Sequence, residues 1–159
     1  MKKLSKVKYI VVHCSATTFI RTFKMEQIRD WHVARGFSTI GYHFVVEQSG
    51  DIREGRDLSV QGAHVRGYND CSIGVCYVGG LDAIGRPADT RTEMQKESLI
   101  RLLTCLHKQY PEARIVGHRD LSPDLNGDGI ISPDEYIKQC PCFDAEIEYK
   151  HITDNWENA

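Results

Sequence analysis

Short β-branched runs and longer helical stripes alternate along the chain, and the order in which the two periods change over predicts its architecture. Residues 8–13 form a nearly unbroken apolar run ending on His13, the pattern of a strand buried on both faces. Between residues 25 and 35, Met25, Ile28, Trp31 and His32 recur at helical spacing, and Gly36 closes the helix. Residues 42–47, a Gln48-Ser-Gly-Asp51 turn and residues 52–54 read as a hairpin. Residues 72–78 form another apolar strand, stopped by Gly79 and Gly80. The most regular helix is predicted to begin at Thr90, where Thr90-Arg-Thr-Glu93 has the spacing of a capping box. Its core stripe is Leu99, Leu102, Leu103 and Leu106, and Pro111 ends it. Residues 114–117 return as a strand with His118 at its end, while residues 55–68 and 81–89 are loop-like. This interleaving predicts an α/β fold: a single domain over residues 1–159, with a central mixed β-sheet flanked by helices. The tail over 146–159 is polar and expected to be peripheral.

Composition narrows the function classes. A chain of 159 residues can build one domain with a sizeable core. A net charge of −2 and a pI of about 6.4 give nucleic acid nothing to bind, so it is excluded as a partner. No apolar run approaches membrane-spanning length, which excludes membrane insertion. The lysine-rich start resembles a signal n-region, but the apolar run at residues 9–12 is broken by His13 and is too short to follow it. A soluble, cytoplasmically made monomer is therefore the expectation. Six cysteines could pair as three disulfides, but a chain of this length without a signal peptide does not need such staples. Cys14, Cys71, Cys76 and Cys105 are expected to be free and mostly buried.

His13 and His118 each lie at the C-terminal end of an apolar strand, where side chains from distant parts of a chain converge over a sheet. A lone strand histidine is more often structural, so spacing by itself leaves the metal question open. Cys14 cannot share a site with His13, because neighbouring strand residues face opposite ways. Cys140 and Cys142 flank Pro141 and are ambiguous in isolation. Between His118 and Cys140 lies the acidic segment Asp-Leu-Asn-Gly-Asp-Gly-Ile-Ile-Ser-Pro-Asp-Glu, residues 124–135. It has the spacing of an EF-hand calcium loop. Asp124, Asn126 and Asp128 fall at positions 1, 3 and 5, Gly129 at 6, the Ile130 carbonyl at 7, Ser132 at 9 and Glu135 at 12. Flanking helices are missing, so a single structural calcium ion is expected, not a sensor. His and Cys suit zinc, whereas these oxygens suit calcium, so one segment combines soft and hard donors.

Five segments occur in an order that is more specific than any one of them. They are Ile10-Val-Val-His13-Cys-Ser-Ala, Gly41-Tyr42-His-Phe-Val-Val, Gly62-Ala-His64-Val-Arg-Gly-Tyr-Asn69, Ile115-Val-Gly-His118-Arg-Asp and Lys138-Gln-Cys140-Pro-Cys-Phe-Asp144. On these motifs the chain resembles the zinc-dependent N-acetylmuramoyl-L-alanine amidases of the phage T7 lysozyme type, which share a fold with animal peptidoglycan recognition proteins. The resemblance implies that His13, His118 and Cys140 bind one catalytic zinc and that Tyr42 and Lys138 are the catalytic pair. It also implies that peptidoglycan or a muropeptide is the substrate. His64 sits in a family-like glycine-rich loop suited to contacting that substrate, and Asp120 is either a partner for a ligand imidazole or a turn residue. The stretch between His118 and Lys138 is longer than in the phage enzyme, and the excess is the acidic loop. A phage or prophage endolysin, made in the cytoplasm and acting on the cell wall, is the function implied. Two alternatives are a cytosolic amidase recycling anhydro-muropeptides, whose relatives usually carry Asp as third ligand, and a non-catalytic peptidoglycan-binding module, whose relatives lack the cysteine. Cys140 favours the lytic enzyme over both.

Overall fold

The computed structural model describes residues 1–157. In chain order its elements are β1 (Tyr9–Cys14), β2 (Thr17–Thr18), α1 (Met25–Ala34), β3 (Phe44–Val46), β4 (Ile52–Glu54), β5 (Ser72–Tyr77), β6 (Gly80–Leu81), α2 (Glu93–Gln109), β7 (Arg114–Gly117), α3 (Ala145–Glu148) and α4 (Lys150–Glu157). The main sheet has the order β4-β3-β5-β1-β7, and β2 pairs with β6 apart from it. β1 runs parallel to β5 and β7, β3 parallel to β5, and only β4 is antiparallel. The mixed sheet flanked by helices is the architecture expected from the sequence.

β1 forms where it does because Ile10, Val11 and Val12 can all be removed from water in a central strand, and all three are fully buried. Alternation then divides the strand. Ile10, Val12 and Cys14 join Ile73, Val75, Tyr77 and the α2 stripe Leu99, Leu102, Leu103 and Leu106 in the main core. Val11 faces the other way, onto Val65 and Val116, and His13 shares its face. The helix predicted at residues 25–35 is α1, and Gly36 takes the left-handed conformation (φ +100°) that stops it.

The start of α2 differs from the expectation. Thr92, not Thr90, is the N-cap: its Oγ1 accepts from the Gln95 amide at 3.1 Å, and Gln95 Oε1 accepts from the Thr92 amide at 2.9 Å. Thr90 and Thr92 both have a capping side chain three residues on. Thr90 Oγ1 is instead taken by the Gly80 amide at 2.8 Å, a partner that only tertiary structure supplies. Cys105 is exposed, in contrast to the expected burial, because it lies off the leucine stripe. Cys14 and Cys76 are buried as expected, Cys71 is half-buried, and all six cysteines are free thiols.

The tail from residue 146 also departs from the peripheral placement expected of it. Ala145, Tyr149 and Ile152 are buried in the main core. Ala145 opens α3, Tyr149 caps it and Ile152 lies in α4, so the buried positions are spread over two short helices that average polarity conceals. Arg91, buried beneath them, pairs with Asp89 and Glu148, donates to Tyr149 Oη at 3.0 Å and lies 3.4 Å from the Phe143 ring centroid. Among the described residues no helix is long and apolar enough to cross a membrane. Tyr149→Ala should cost about 3 kcal/mol, the scale of an aromatic deleted from a core, where a surface tyrosine would cost almost nothing. Urea unfolding of the variant beside the wild type measures the difference, and an unchanged midpoint would return the tail to the periphery.

Candidate active site

The register of the sheet brings the two strand-end histidines together. Val12 of β1 pairs with Gly117 of β7, so His13 and His118 follow side by side, their ring centroids 4.7 Å apart. Cys140 arrives from the returning chain. Its carbonyl accepts from the Arg119 amide at 2.9 Å, and its Sγ accepts from the Cys14 amide at 3.1 Å. The nitrogen and sulfur atoms that His13, His118 and Cys140 offer lie within 4.8 Å of one another. Cys14 turns its own thiol away, toward Cys142. Gly117 is required here, because a Cβ would meet Pro141 Cδ at 2.6 Å.

A chain of hydrogen bonds sets the state of His13, and its direction is fixed from the far end. The Ser72 hydroxyl donates to the Tyr68 carbonyl at 2.7 Å, so its oxygen accepts from His64 Nε2 at 3.3 Å. His64 Nδ1 is then the acceptor for His13 Nε2–H at 2.8 Å. His13 Nδ1 is left with its lone pair, 3.8 Å from Cys140 Sγ. Both ring nitrogens of His64 are thus engaged within the protein, although the residue does line the cleft. His64 fits only because Gly74 has no side chain: a Cβ there would lie 2.7 Å from the imidazole.

Burial is the first cause that keeps these imidazoles neutral. It holds His13 well below the usual histidine range, with His64, His118 and Lys138 adding to the effect. Burial and then Lys138 push His118 down to about 4. Burial, His43 and His118 push His64 down to about 3. All three therefore present lone pairs at neutral pH. The Tyr42 ring lies 5.1 Å from that of His13 and 5.3 Å from that of His32, and burial, followed by the nearby cysteines, holds its hydroxyl protonated. Lys138 is exposed on the rim, close enough to depress both histidines. Asp120 is a turn residue, its Oδ2 accepting from the Gly117 amide at 2.7 Å. The site opens into a cleft of about 780 Å³ walled by Trp31, Arg35, Phe37, Arg66, Asn69 and Ile137.

Sequence reasoning missed Ser72, Gly74 and His32. The first two had a signal: in β5 the small residues Ser72 and Gly74 alternate with Ile73, Val75 and Tyr77, marking a face that another segment approaches closely. His32 accepts from the Gly41 amide at 2.9 Å and was legible only as part of a helical stripe.

In the acidic segment, carboxylate oxygens of Asp124, Asp128 and Glu135 lie within 4.8 Å of one another. Asp124 accepts from the Gly127 and Gly129 amides at 3.0 and 2.8 Å, Asn126 from the Asp128 amide at 3.1 Å, and Asp128 from the Ile130 amide at 2.9 Å. Glu135 is buried and accepts from the amide and hydroxyl of Ser132 and from the amides of Leu125 and Asn126, which together hold its carboxyl down at about 2 against the opposing effect of burial. The loop ends in a short 3₁₀ turn, Pro133–Glu135.

A family model described as N-acetylmuramoyl-L-alanine amidase matches residues 3–141. The chain is 39% identical over 144 residues to an endolysin of Klebsiella phage KP32, covering 91% of this chain and 86% of that protein. It is 36% identical over 145 residues to the endolysin of Escherichia phage T7, covering 91% and 87%. Among solved structures, the N-acetylmuramoyl-L-alanine amidase LysC from Clostridium intestinale shares the fold with a TM-score of 0.71 at 24% identity, covering 94% of this chain and 86% of that one. With a match across the whole sheet and most of the chain, and with the five motifs brought around one cleft, the chain belongs to the N-acetylmuramoyl-L-alanine amidase family.

Proposed function

We propose that the protein is a zinc-dependent peptidoglycan amidase that hydrolyses the bond between N-acetylmuramic acid and L-alanine, and that it serves as a phage or prophage endolysin. The convergence of His13, His118 and Cys140 carries this reading. Tetrahedral zinc with bonds of about 2.1 Å to nitrogen and 2.3 Å to sulfur sets neighbouring donors about 3.4–3.8 Å apart. His13 Nδ1 and Cys140 Sγ, at 3.8 Å, fit that geometry. Two neutral imidazoles and a thiol form a donor set that favours zinc over magnesium or calcium. Zinc held by His13, His118 and Cys140 would supply Lewis acidity toward the amide carbonyl and would make water more acidic.

The chain's own residues do the rest. His64 keeps His13 in the tautomer whose Nδ1 is free, so we assign it to orienting a ligand and not to gripping the substrate. Tyr42, protonated at neutral pH, donates its hydrogen to the oxyanion that develops on the amide. Lys138 supplies positive charge beside the same atom. Arg35, Arg66 and Lys138 lie along the cleft, matching the carboxylates of a peptide stem, and the half-exposed Trp31 offers an apolar face to a sugar.

Incubation with purified peptidoglycan should release new L-alanine amino termini without new reducing sugars. Cys140→Ser should lose both zinc and activity with the fold retained, since most of the core lies elsewhere. Full activity in a preparation shown to be free of zinc would refute the mechanism.

Groups aimed at charge that appears only in the transition state affect kcat more than KM. Lys138→Ala and Tyr42→Phe are each expected to lower kcat about tenfold to a thousandfold with little rise in KM. Steady-state kinetics on a soluble muropeptide separates the two parameters, and a variant altered in KM alone would be reassigned to binding.

The loop over 124–135 is assigned a single calcium ion, held by Asp124, Asn126, Asp128, the Ile130 carbonyl and Glu135. Support comes from the convergence of its three carboxylates and from the agreement of the loop with the twelve-position spacing. Calcium should raise the thermal midpoint, a calcium-selective chelator should lower it, and Glu135→Gln should abolish the difference. Identical melts in all conditions would leave the segment an acidic turn.

A further inference from the structure

Lys138 reaches the cleft at the end of a long excursion, residues 119–137, and its side chain makes no hydrogen bond or ion pair among the described residues. Nothing on the side chain itself fixes where its charge sits, so the backbone that carries it must be fixed. The excursion beyond the neck does not do this by packing: Leu125, Ile130 and Ile137 are 72%, 67% and 70% exposed. The fixed points lie at the neck. Ser122, only 7% exposed, accepts from the Ile137 amide through Oγ at 3.1 Å, one residue before the lysine. The Ser122 amide in turn donates to the Arg119 carbonyl at 3.2 Å, which ties it to the 3₁₀ turn (His118–Leu121) that carries His118. On the other side of the neck the Arg119 guanidinium lies 4.9 Å from the Tyr136 ring centroid. Two segments of the cleft wall are therefore joined directly, and the acidic loop is bypassed.

We propose that Ser122 is a positioning residue for Lys138: its buried hydroxyl closes the neck of the insertion and holds the backbone from which the lysine reaches the reacting amide. The inference rests on the assignment of Lys138 to catalysis. A buried hydroxyl accepting one main-chain hydrogen bond contributes modestly to stability, but here it sets the direction of a charge, and small displacements of such a group are costly to rate. Removing the hydroxyl leaves the Ile137 amide without its partner and frees residues 136–138 to swing from the rim.

The test is a double-mutant cycle on the zinc-loaded enzyme, with hydrogen exchange as a second readout. Ser122→Ala is expected to lower kcat about tenfold with KM and zinc content nearly unchanged, and to speed exchange of the Ile137 amide. Ser122→Thr, which keeps the hydroxyl, should restore both. Ser122→Cys, close in size but a weaker acceptor, should give an intermediate loss and keeps the question answerable if the alanine variant does not fold. In a Lys138→Ala background, Ser122→Ala should cost nothing further, because the group it positions is gone. A full additive loss in the double variant overturns the proposal. So does an unimpaired Ser122→Ala beside an impaired Lys138→Ala, and in both cases the role of Lys138 stands. A fully active Lys138→Ala overturns the clamp and the lysine's catalytic role together.

Discussion

The parallel pairing of β1 on both of its edges is the constraint from which the rest of the site follows. A strand hydrogen-bonded on two sides and covered on two faces has only one way to present its residues. Ile10, Val12 and Cys14 are committed to the core under α2, so Val11 and His13 must lie on the opposite face, where His13 lines the cleft. A slip of one residue would bury the histidine under the leucines and turn three apolar side chains onto the face of the site. The register with β7 then places His118 beside His13 with no loop between them, and the register with β5 sets Cys76 opposite His13. Two of the three convergent donors are thus positioned by the most rigid part of the molecule, where freedom is lost on folding in any case. Only Cys140 depends on a loop, and that loop is fastened by the Cys14 and Arg119 amides on either side of the first two donors.

The same face shows why small residues are as informative as reactive ones. Ser72 and Gly74 leave room on β5 for the His64 imidazole, and Ser72 also orients it. A histidine between two heavy-atom partners has no choice of tautomer once one partner can only accept. For His64 that partner is the Ser72 hydroxyl, whose own hydrogen is committed to the Tyr68 carbonyl, and the effect is passed through the His64 ring to His13. An imidazole held this way would not have to reorient to bind a metal.

What could be read in advance, and what could not, divides along physical lines. The central strand, the leucine stripe of α2 and the hairpin were legible because each is a local period set by burial. His13, Tyr42, His118, Lys138 and Cys140 were legible as members of ordered motifs. The start of α2 was misplaced by two residues because two threonines have equivalent local credentials, and a distant amide, that of Gly80, decides between them. The tail was misread because Tyr149 and Ile152 are few among charged residues, and they are buried from two short helices whose meeting no local period announces. The Ser72–His64–His13 chain lay beyond sequence reasoning, since it depends on distances across three separate segments.

An acidic insertion beside a cationic cleft is an electrostatic problem as well as a geometric one. Carboxylates free to move near Lys138 would pair with it and cancel its charge on the rim. The local structure counters this by giving the loop's acids partners within the loop. Asp124 and Asp128 accept from amides of their own loop, and Glu135 is buried against three more. Each carboxylate therefore already has partners that cost it no contact with the rim, and the interaction that remains across solvent is screened over about 8–10 Å at physiological salt. Donor chemistry reinforces the separation: oxygens alone on one side of the neck, imidazoles and a thiol on the other, so that neither set competes well for the ion suited to its neighbour. Insertions of this kind are tolerated in a catalytic wall when their charge is satisfied locally and their ends are joined directly. Here the first condition is met by backbone amides and the second by the hydrogen bond from Ile137 to Ser122.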